Sequence, residues 1–550
     1  MLAAVVLLLV SSSPAQAVSP TSETDPQSQA HAAPVCAEMT APTADEEYSC
    51  GMDFARLGRL DDAERAFSRG LRRNPGDARF AVELGGIAFR RKQYSEAANW
   101  LLKAVRLKPD DLYINDFLGT IFFLQGNTEA ALKYWNRIGK PAVERTTIEP
   151  PTRVDPVLLD RALAFAPGEM LRLDELRTTE ARLRGLGIFS VPDIRMAARD
   201  DGSFDAMVHV AERNGFGSTK WEALLLTFQG LAFQTITPEY YNLCGSATNI
   251  TTLWRWDSEK RRISAALSGP VRRNPQWRYR LGLDVRNENW SVRNFSAAAG
   301  LTLGYLNLRR GAGRIDITSI SSGRLSWSTG GEISYREYRG VADESALAPD
   351  LLLEGYSLKH TARLDYNLIR IPELHYVAST FADFQIGRTW AGRSHAYAKL
   401  QAGVRQTWSA SSMGDDLEIQ HELRAGRTVG NVPFDELFML GLERDNNLRM
   451  RGHVGTQDGR KGNAPLGRHY FLSNLEFDKK VWSNGLVGIK LGPFVDTGKI
   501  ADPLSYLGSR KWLWDAGGQI KVRVLGISVG ASYGRDLRSG TGAFYATVGK

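Results

Sequence analysis

From about Gly217 to Lys550 the chain alternates apolar and polar residues with a period of two, and few folds tolerate that pattern for so long. Trp277, Tyr279, Leu281, Leu283 and Val285 alternate with Arg278, Arg280, Gly282, Asp284 and Arg286. Tyr356, Leu358, His360, Ala362, Leu364 and Tyr366 alternate with Ser357, Lys359, Thr361, Arg363 and Asp365, and the runs Ala398–Arg405 and Ile520–Val524 repeat the pattern. In a strand, neighbouring side chains point to opposite faces. A soluble antiparallel sheet also alternates, but a face carrying Arg and Lys through segment after segment needs a large polar interior. A closed membrane barrel, with lipid outside and a wet lumen, supplies one. Of 13 tryptophans, all but Trp100 and Trp135 fall in this part, many near strand ends, as an interfacial girdle requires. At about 9–11 embedded residues per strand, roughly 330 residues accommodate about sixteen strands. The barrel is therefore expected over 216–550.

Composition closes other routes. Hydrophobic residues make up 43% and charged residues 24%, too apolar for a disordered chain. After the first 20 positions no uncharged apolar run reaches 18 residues, which excludes transmembrane helices. The formal charge of +8 is spread along the chain and marks no nucleic-acid surface, so nucleic acid is not an expected partner. The apolar run Leu2–Val10, followed by the small-residue site Ala15-Gln16-Ala17, reads as a signal peptide over 1–17, although a basic start is missing. Residues 18–46 have the Ser/Pro/Ala/Thr-rich composition of a flexible linker. Cys36 and Cys50 are placed to pair in an oxidising compartment or to remain thiols, and both readings stay open.

A 34-residue period follows. Gly51, Gly85 and Gly119 recur at that spacing, as do Ala63, Ala97 and Ala131, and the large residues Phe67, Leu101 and Trp135. Pro75, Pro109 and Pro141 lie at or near the ends of the units. The period and its small, aromatic and Pro positions resemble the tetratricopeptide repeat. The physics is consistent: Gly and Ala let paired helices approach, a large apolar side chain fills the groove, and Pro ends the second helix. Three units over 47–141 are about the minimum for a stable stack. The resemblance implies a concave face for periplasmic protein partners; a plain spacer is the competing reading.

Residues 145–215 change character. A short strand at Thr146–Ile148, helices over Asp155–Phe165 and Leu173–Leu186, and strands near Phe189–Ala197 and Phe204–Ala211 give the order β-α-α-β-β. With Gly168 after the first helix and Gly185-Leu186-Gly187-Ile188-Phe189 after the second, this resembles a polypeptide-transport-associated (POTRA) domain. Such domains are expected to take up a client strand at a sheet edge.

The last 120 residues carry the most specific pattern. Arg451-Gly452-His453 resembles the Arg-Gly-aromatic motif on the long sixth loop of the BamA/TamA outer-membrane assembly superfamily, with His453 in place of the usual Phe or Tyr. Phe471–Glu476 and Phe494-Val495-Asp496-Thr497-Gly498 resemble the two strand motifs that follow that loop. The resemblance implies that the loop enters the lumen and that Arg451 meets Asp496 in a buried pair. Two features depart from the pattern: one POTRA-like module where the family's insertases have several, and a terminus at Lys550 instead of an aromatic residue.

No catalytic constellation is visible. Gly526-Ile527-Ser528-Val529-Gly530 has the spacing of a nucleophile elbow but lies within an alternating strand, and no His follows His469. No Cys/His set has metal-ligand spacing, so neither metal nor cofactor is expected. Glu443 with Asp445, and Asp415-Asp416, read as loop or rim charges; Arg261-Arg262 and Arg272-Arg273 read as turn or interface positions. The expectation is a multidomain, non-enzymatic protein of the bacterial outer membrane with its N-terminal domains in the periplasm. It would handle unfolded outer-membrane or secreted polypeptides by insertion or export. A passive pore or lipid conduit, and a barrel-anchored repeat scaffold, are the alternatives.

Overall fold

A computed structural model describes residues 42–213, 230–231, 233–295, 301–341, 346–410, 416–484, 487–502, 507–509, 511–524 and 527–549. The expected signal peptide, most of the linker, Cys36 and Gly526 lie outside these residues. The chain divides into two compact units; the first runs to Thr147 and includes Ala166–Leu173 and Arg195–Met207, and the second comprises the rest.

In the first unit, six helices form three antiparallel pairs: α1 (Ala44–Arg56) with α2 (Leu60–Arg73), α3 (Ala78–Arg90) with α4 (Tyr94–Leu107), and α5 (Leu112–Leu124) with α6 (Thr128–Trp135). Side-chain oxygens start several of them, satisfying backbone N–H groups that have no partner within the helix. Thr43 and Glu46 form a capping box on α1, Asp77 caps α3, Asp111 caps α5 and Asn127 caps α6. The 34-residue period has a direct physical cause. A Cβ on Gly51 would overlap the Phe67 ring, one on Gly85 would stand 2.9 Å from Leu101, and one on Gly119 would overlap the Trp135 indole. Ala63, Ala97 and Ala131 are fully buried beside these contacts. The first helix begins at Ala44, three residues ahead of the expected boundary at 47, because its cap is Thr43. Cys50 is disulfide-bonded, whereas Cys244 is a free thiol.

The α/β segment contains β1 (Ala142–Glu149), α7 (Pro156–Ala162), β2 (Glu169–Met170), α8 (Leu173–Gly185), β3 (Asp193–Ala198) and β4 (Phe204–His209), with sheet order β2-β1-β4-β3. Strand β1 begins at Ala142, before the expected start at 145. The two-residue β2 is absent from the order read in the sequence. Gly168, at φ +86°, turns the chain so that Glu169 and Met170 pair with Val143 and Ala142. Phe204 of β4 stacks near Phe123 and Trp135, with ring centroids 5.5 and 5.2 Å away, which ties this sheet to the last repeat.

The second unit is dominated by a closed antiparallel barrel. Its strands are β5 (Thr235–Ile236), β6 (Glu239–Leu243), β7 (Thr248–Trp256), β8 (Lys260–Val271), β9 (Asn274–Arg293), β10 (Thr302–Ile320), β11 (Leu325–Arg339), β12 (Gly355–Ile371), β13 (Tyr376–Ala391), β14 (Arg393–Ser409) and β15 (Leu417–Gly430). A loop over 431–468 holds the two-residue pieces β16 (Phe438–Met439), β17 (Thr456–Gln457), β18 (Arg460–Lys461) and β19 (Leu466–Gly467). The wall resumes with β20 (His469–Ser483), β21 (Val487–Ala501), β22 (Leu513–Val524), β23 (Ile527–Asp536) and β24 (Gly542–Gly549). Strand β15 pairs with β20 across the loop, and β24 adjoins β5 to close the ring. Among the described residues, fourteen strands of 8–20 residues form the wall, with β5 and β6 as shorter pieces. The expected barrel start at 216 falls within 214–229, outside them. Ser528 lies in β23 opposite Arg523, in a strand as expected.

The outward face is apolar. Leu283 and Val285 on β9 are 67% and 60% exposed, and Ile315, Ile333, Leu358, Ile386 and Leu400 are likewise exposed. The intervening residues are buried and polar, among them Asp316, Glu332, Lys359 and Thr361. A soluble monomer does not present so extensive an apolar band to water. Trp254, Trp256, Trp390, Trp482, Trp512 and Trp514 are exposed on the same surface, but Trp290 departs from the girdle and is buried. No described helix is long and apolar enough to cross a membrane.

Candidate functional site

The 431–468 loop occupies the lumen, as its partners show: they lie on inward-facing positions of strands all around the ring. The Arg451 guanidinium chelates Asp496 on β21, Nε to Oδ2 at 2.8 Å and Nη2 to Oδ1 at 2.6 Å. Its backbone N–H also donates to Asp496 Oδ2 at 3.0 Å, and Nη1 reaches Glu476 on β20 at 2.7 Å. The Phe494 ring, two residues before Asp496 on the same strand face, lies 3.6 Å from the guanidinium carbon. Arg451 is thus held by two carboxylates and a π face, with both Arg451 and Asp496 buried.

Glycines make this approach sterically feasible. A Cβ on Gly452 would stand 2.5 Å from the Asp536 backbone N and 2.7 Å from the Asp515 carboxyl carbon. A Cβ on Gly498 would press on Leu440 at 3.0 Å and on the Met450 sulfur at 3.2 Å. Gly452 N donates to Asp515 Oδ2 on β22 at 2.6 Å, and His453 Nδ1 lies 3.2 Å from the same oxygen. The residues singled out in the sequence, Arg451, Gly452, His453, Phe494, Asp496 and Gly498, therefore form one buried cluster. Asp515 and Asp536, which complete it, have no local sequence signal and become visible only through strand register.

Two further anchors fix the loop. Near its start, Glu436 receives Lys359 at 3.0 Å, Arg310 at 3.3 Å and Arg336 at 3.8 Å, while Asp435 receives Arg336 at 3.2 Å and the Tyr338 hydroxyl at 3.1 Å. Around these charges Trp290, Leu306, Leu308, Tyr338, Phe434 and Leu466 form an apolar core inside the lumen, with Phe434 edge-on to Trp290 at 5.0 Å. The expected interior is large and polar; this apolar core is an addition to it and explains the inward position of Trp290. Farther along the ring, on β7 and β8, Asp445 binds Arg255 at 2.8 Å and Arg262 at 2.7 Å and also meets Lys461 at 3.2 Å, and Glu443 binds Lys260 at 3.3 Å. Of the two readings, loop or rim, Glu443 and Asp445 are loop charges, and they act as anchors: Glu443 is buried and the Asp445 side chain is 12% exposed, while Arg262 faces the lumen. Asp416 does behave as a rim charge, paired with Lys479 in an exposed position; Asp415 lies outside the described residues. Arg272 and Arg273 form a turn with positive φ.

Residues 50–111 match the tetratricopeptide repeat family. No curated protein is significantly similar to the chain in sequence. Among solved structures, CdiB from Escherichia coli is 12% identical with a TM-score of 0.50, covering 74% of this chain and 75% of that one. CdiB from Acinetobacter baumannii is 13% identical (TM-score 0.44; 74% and 73% covered). BamA from Haemophilus ducreyi lacking POTRA domains 1–3 is 13% identical (TM-score 0.41; 74% and 84% covered). At these identities the likeness is one of fold. In fold, the chain is similar to CdiB: a closed antiparallel barrel with an apolar outer face, preceded by a tetratricopeptide repeat region and a POTRA-like α/β module.

Proposed function

We propose that the protein is an assembly or translocation factor of the bacterial outer membrane, which captures polypeptides with its periplasmic domains and inserts or exports them through the barrel. The observation that carries this reading is the loop locked in the lumen by Arg451, Glu436 and Asp445. A lumen blocked by charge pairs and an apolar core has little use as an open diffusion pore, but it suits a gate that a bulky client displaces. Two edges offer places for strand addition. Strand β3 is the outer strand of the α/β sheet, and unpaired edge groups template an incoming chain. Strand β24 pairs with β23 throughout Gly542–Gly549, whereas its other described neighbour, β5, is two residues long. The repeats add a surface for periplasmic proteins. No nucleotide-binding motif is present in the sequence, so in this mechanism the work comes from the client's own folding.

Depletion of the protein followed by quantification of outer-membrane and surface polypeptides tests the proposal. A selective fall in one or more of them is expected; unchanged levels with altered small-solute permeability would favour a passive conduit instead.

A further inference from the structure

Strand register sorts the outward-facing charges of the barrel to one end. In the halves of the strands nearest the long loops, exposed outward positions include Arg261 on β8, Arg309 on β10, Arg388 on β13, Arg427 on β15, Lys499 on β21 and Arg535 on β23. They share the apolar outer face: Arg388 alternates with exposed Ile386, and Arg427 with exposed Val429. Arg339 on β11 lies at the same end, but it is paired with Glu337 at 2.7 Å. The opposite halves of the strands face outward with Trp277, Trp327, Tyr366 and Trp408. Among the described residues their outward positions hold one Lys or Arg, Lys479, which is already paired with Asp416 at 2.8 Å.

The turn end is the one that carries the α/β helices. Asp155 N donates to Gly245 O at 2.8 Å, Asn249 Nδ2 to Leu186 O at 2.9 Å, and Gly323 N to Thr178 Oγ1 at 3.0 Å. The outward cations therefore lie at the end away from those helices. On a lipid-facing surface Arg and Lys are costly within the hydrocarbon and nearly neutral at its edge, and they gain where an anionic headgroup meets them. Among the described residues no carboxylate pairs with Arg261, Arg388, Arg427 or Lys499, so the barrel does not supply that anion itself. The clearest grouping spans β15, β20 and β21. Arg427 is directly opposite His469, and Lys499 is directly opposite Phe471, whose ring lies 5.7 Å from that of Trp512. Cations thus flank β20 on both sides, next to aromatic rings on which acyl chains can rest.

We propose that this loop-end edge, with Arg388, Arg427 and Lys499 as its principal cations, binds the headgroup phosphates of an anionic lipid confined to the outer leaflet, the chemistry that lipopolysaccharide presents. Guanidinium groups suit phosphate because they donate two parallel hydrogen bonds to its oxygens. The one-sided distribution is what carries the choice of lipid: an anionic lipid shared by both leaflets would be matched by cations at both edges. The proposal rests on the outer-membrane reading above, in which the turn end is periplasmic, and it is independent of what the barrel transports. Alternation alone shows that Arg427 faces outward, but only strand register shows that cations from separate strands gather at one end.

The test uses the full chain, purified in detergent, captured on a support, incubated with lipopolysaccharide and washed before the retained lipid is measured. Retention is expected, at least about tenfold lower in R388Q/R427Q/K499Q, and unchanged in K479Q at the turn end. Lipopolysaccharide stripped of its phosphates should be retained at least about tenfold less by the unmodified chain, a readout that does not depend on a variant folding. Equal retention by the folded triple variant, an equal loss in K479Q, or equal retention of the dephosphorylated lipid would each overturn the proposal. An unmodified chain that inserts into neutral phosphatidylcholine vesicles yet retains no lipopolysaccharide would overturn it and leave the outer-membrane reading standing. Insertion into no bilayer would overturn both.

Discussion

Arg451 and Asp496 are 45 residues apart in the chain, yet they share three hydrogen bonds of 2.6–3.0 Å, one of them from the Arg451 backbone. The pair ties a loop to a strand through both side-chain charge and main-chain position. It works as a registry device: the loop cannot shift by one residue without leaving Asp496 buried and unpaired.

Arg451→Ala should therefore destabilise the loaded lumen by about 3–5 kcal/mol, the usual consequence of stranding one partner of a buried ion pair. The double variant R451Q/D496N should cost clearly less than the sum of the two single changes. Denaturant unfolding of the barrel in detergent, followed by its heat-modifiable gel mobility, checks both statements.

Glu436→Gln removes the charge shared by Lys359, Arg310 and Arg336. Of the three cations, Lys359 and Arg310 then keep the wall residue Glu332, and only Asp435 still ties Arg310 and Arg336 to the loop, so the loop start should detach. Planar-bilayer recordings should show larger or more frequent openings than the unmodified barrel. Unaltered conductance would show that this anchor does not hold the plug.

Two adjacent glycines in α3 should respond in opposite directions. Gly85→Ala drives a methyl group to 2.9 Å from Leu101 and should cost about 1–3 kcal/mol by overpacking. A Cβ on Gly86 meets nothing within 4 Å, so Gly86→Ala should stabilise by about 0.4–1 kcal/mol through the unfolded chain. Thermal melts of the helical signal separate the two.

The repeat region should also lose stability in acid. The Arg79 guanidinium beside Asp77 holds its carboxyl below the ordinary aspartate range, and the Arg79 backbone N–H adds to the effect. A carboxyl depressed in the folded state stabilises it above the unfolded value, and that contribution disappears as pH falls through about 4 and below. Asp77→Asn keeps an N-cap oxygen but removes the titration. Its helical melts should change less between neutral and acid pH than those of the unmodified chain.

Sequence alone revealed features whose causes are local or periodic. The 34-residue spacing follows from each small residue facing a large one on the next helix, as with Gly85 and Leu101. The barrel wall was legible because alternation is enforced at every pair of strand positions. The lumen was only partly legible. Arg451 and Asp496 carry a recognisable motif, but Glu436 meets Arg310 from 126 residues away, and Asp445 meets Arg255 from 190 residues away. A carboxylate read in sequence only as a loop or rim charge can become a lumen anchor once the chain closes on itself, as Asp445 does. The aspartates at 515 and 536 depend on the register of three strands, which no local pattern encodes.

The most direct test of the account is photocrosslinking from β24. Phe544, 71% exposed on that strand, can be replaced by a photoreactive amino acid in cells that express the protein at natural levels. Covalent adducts with polypeptides in transit are expected, increased when the folding of those polypeptides is slowed. Adducts confined to lipid, with the variant fully functional and folded, would contradict it.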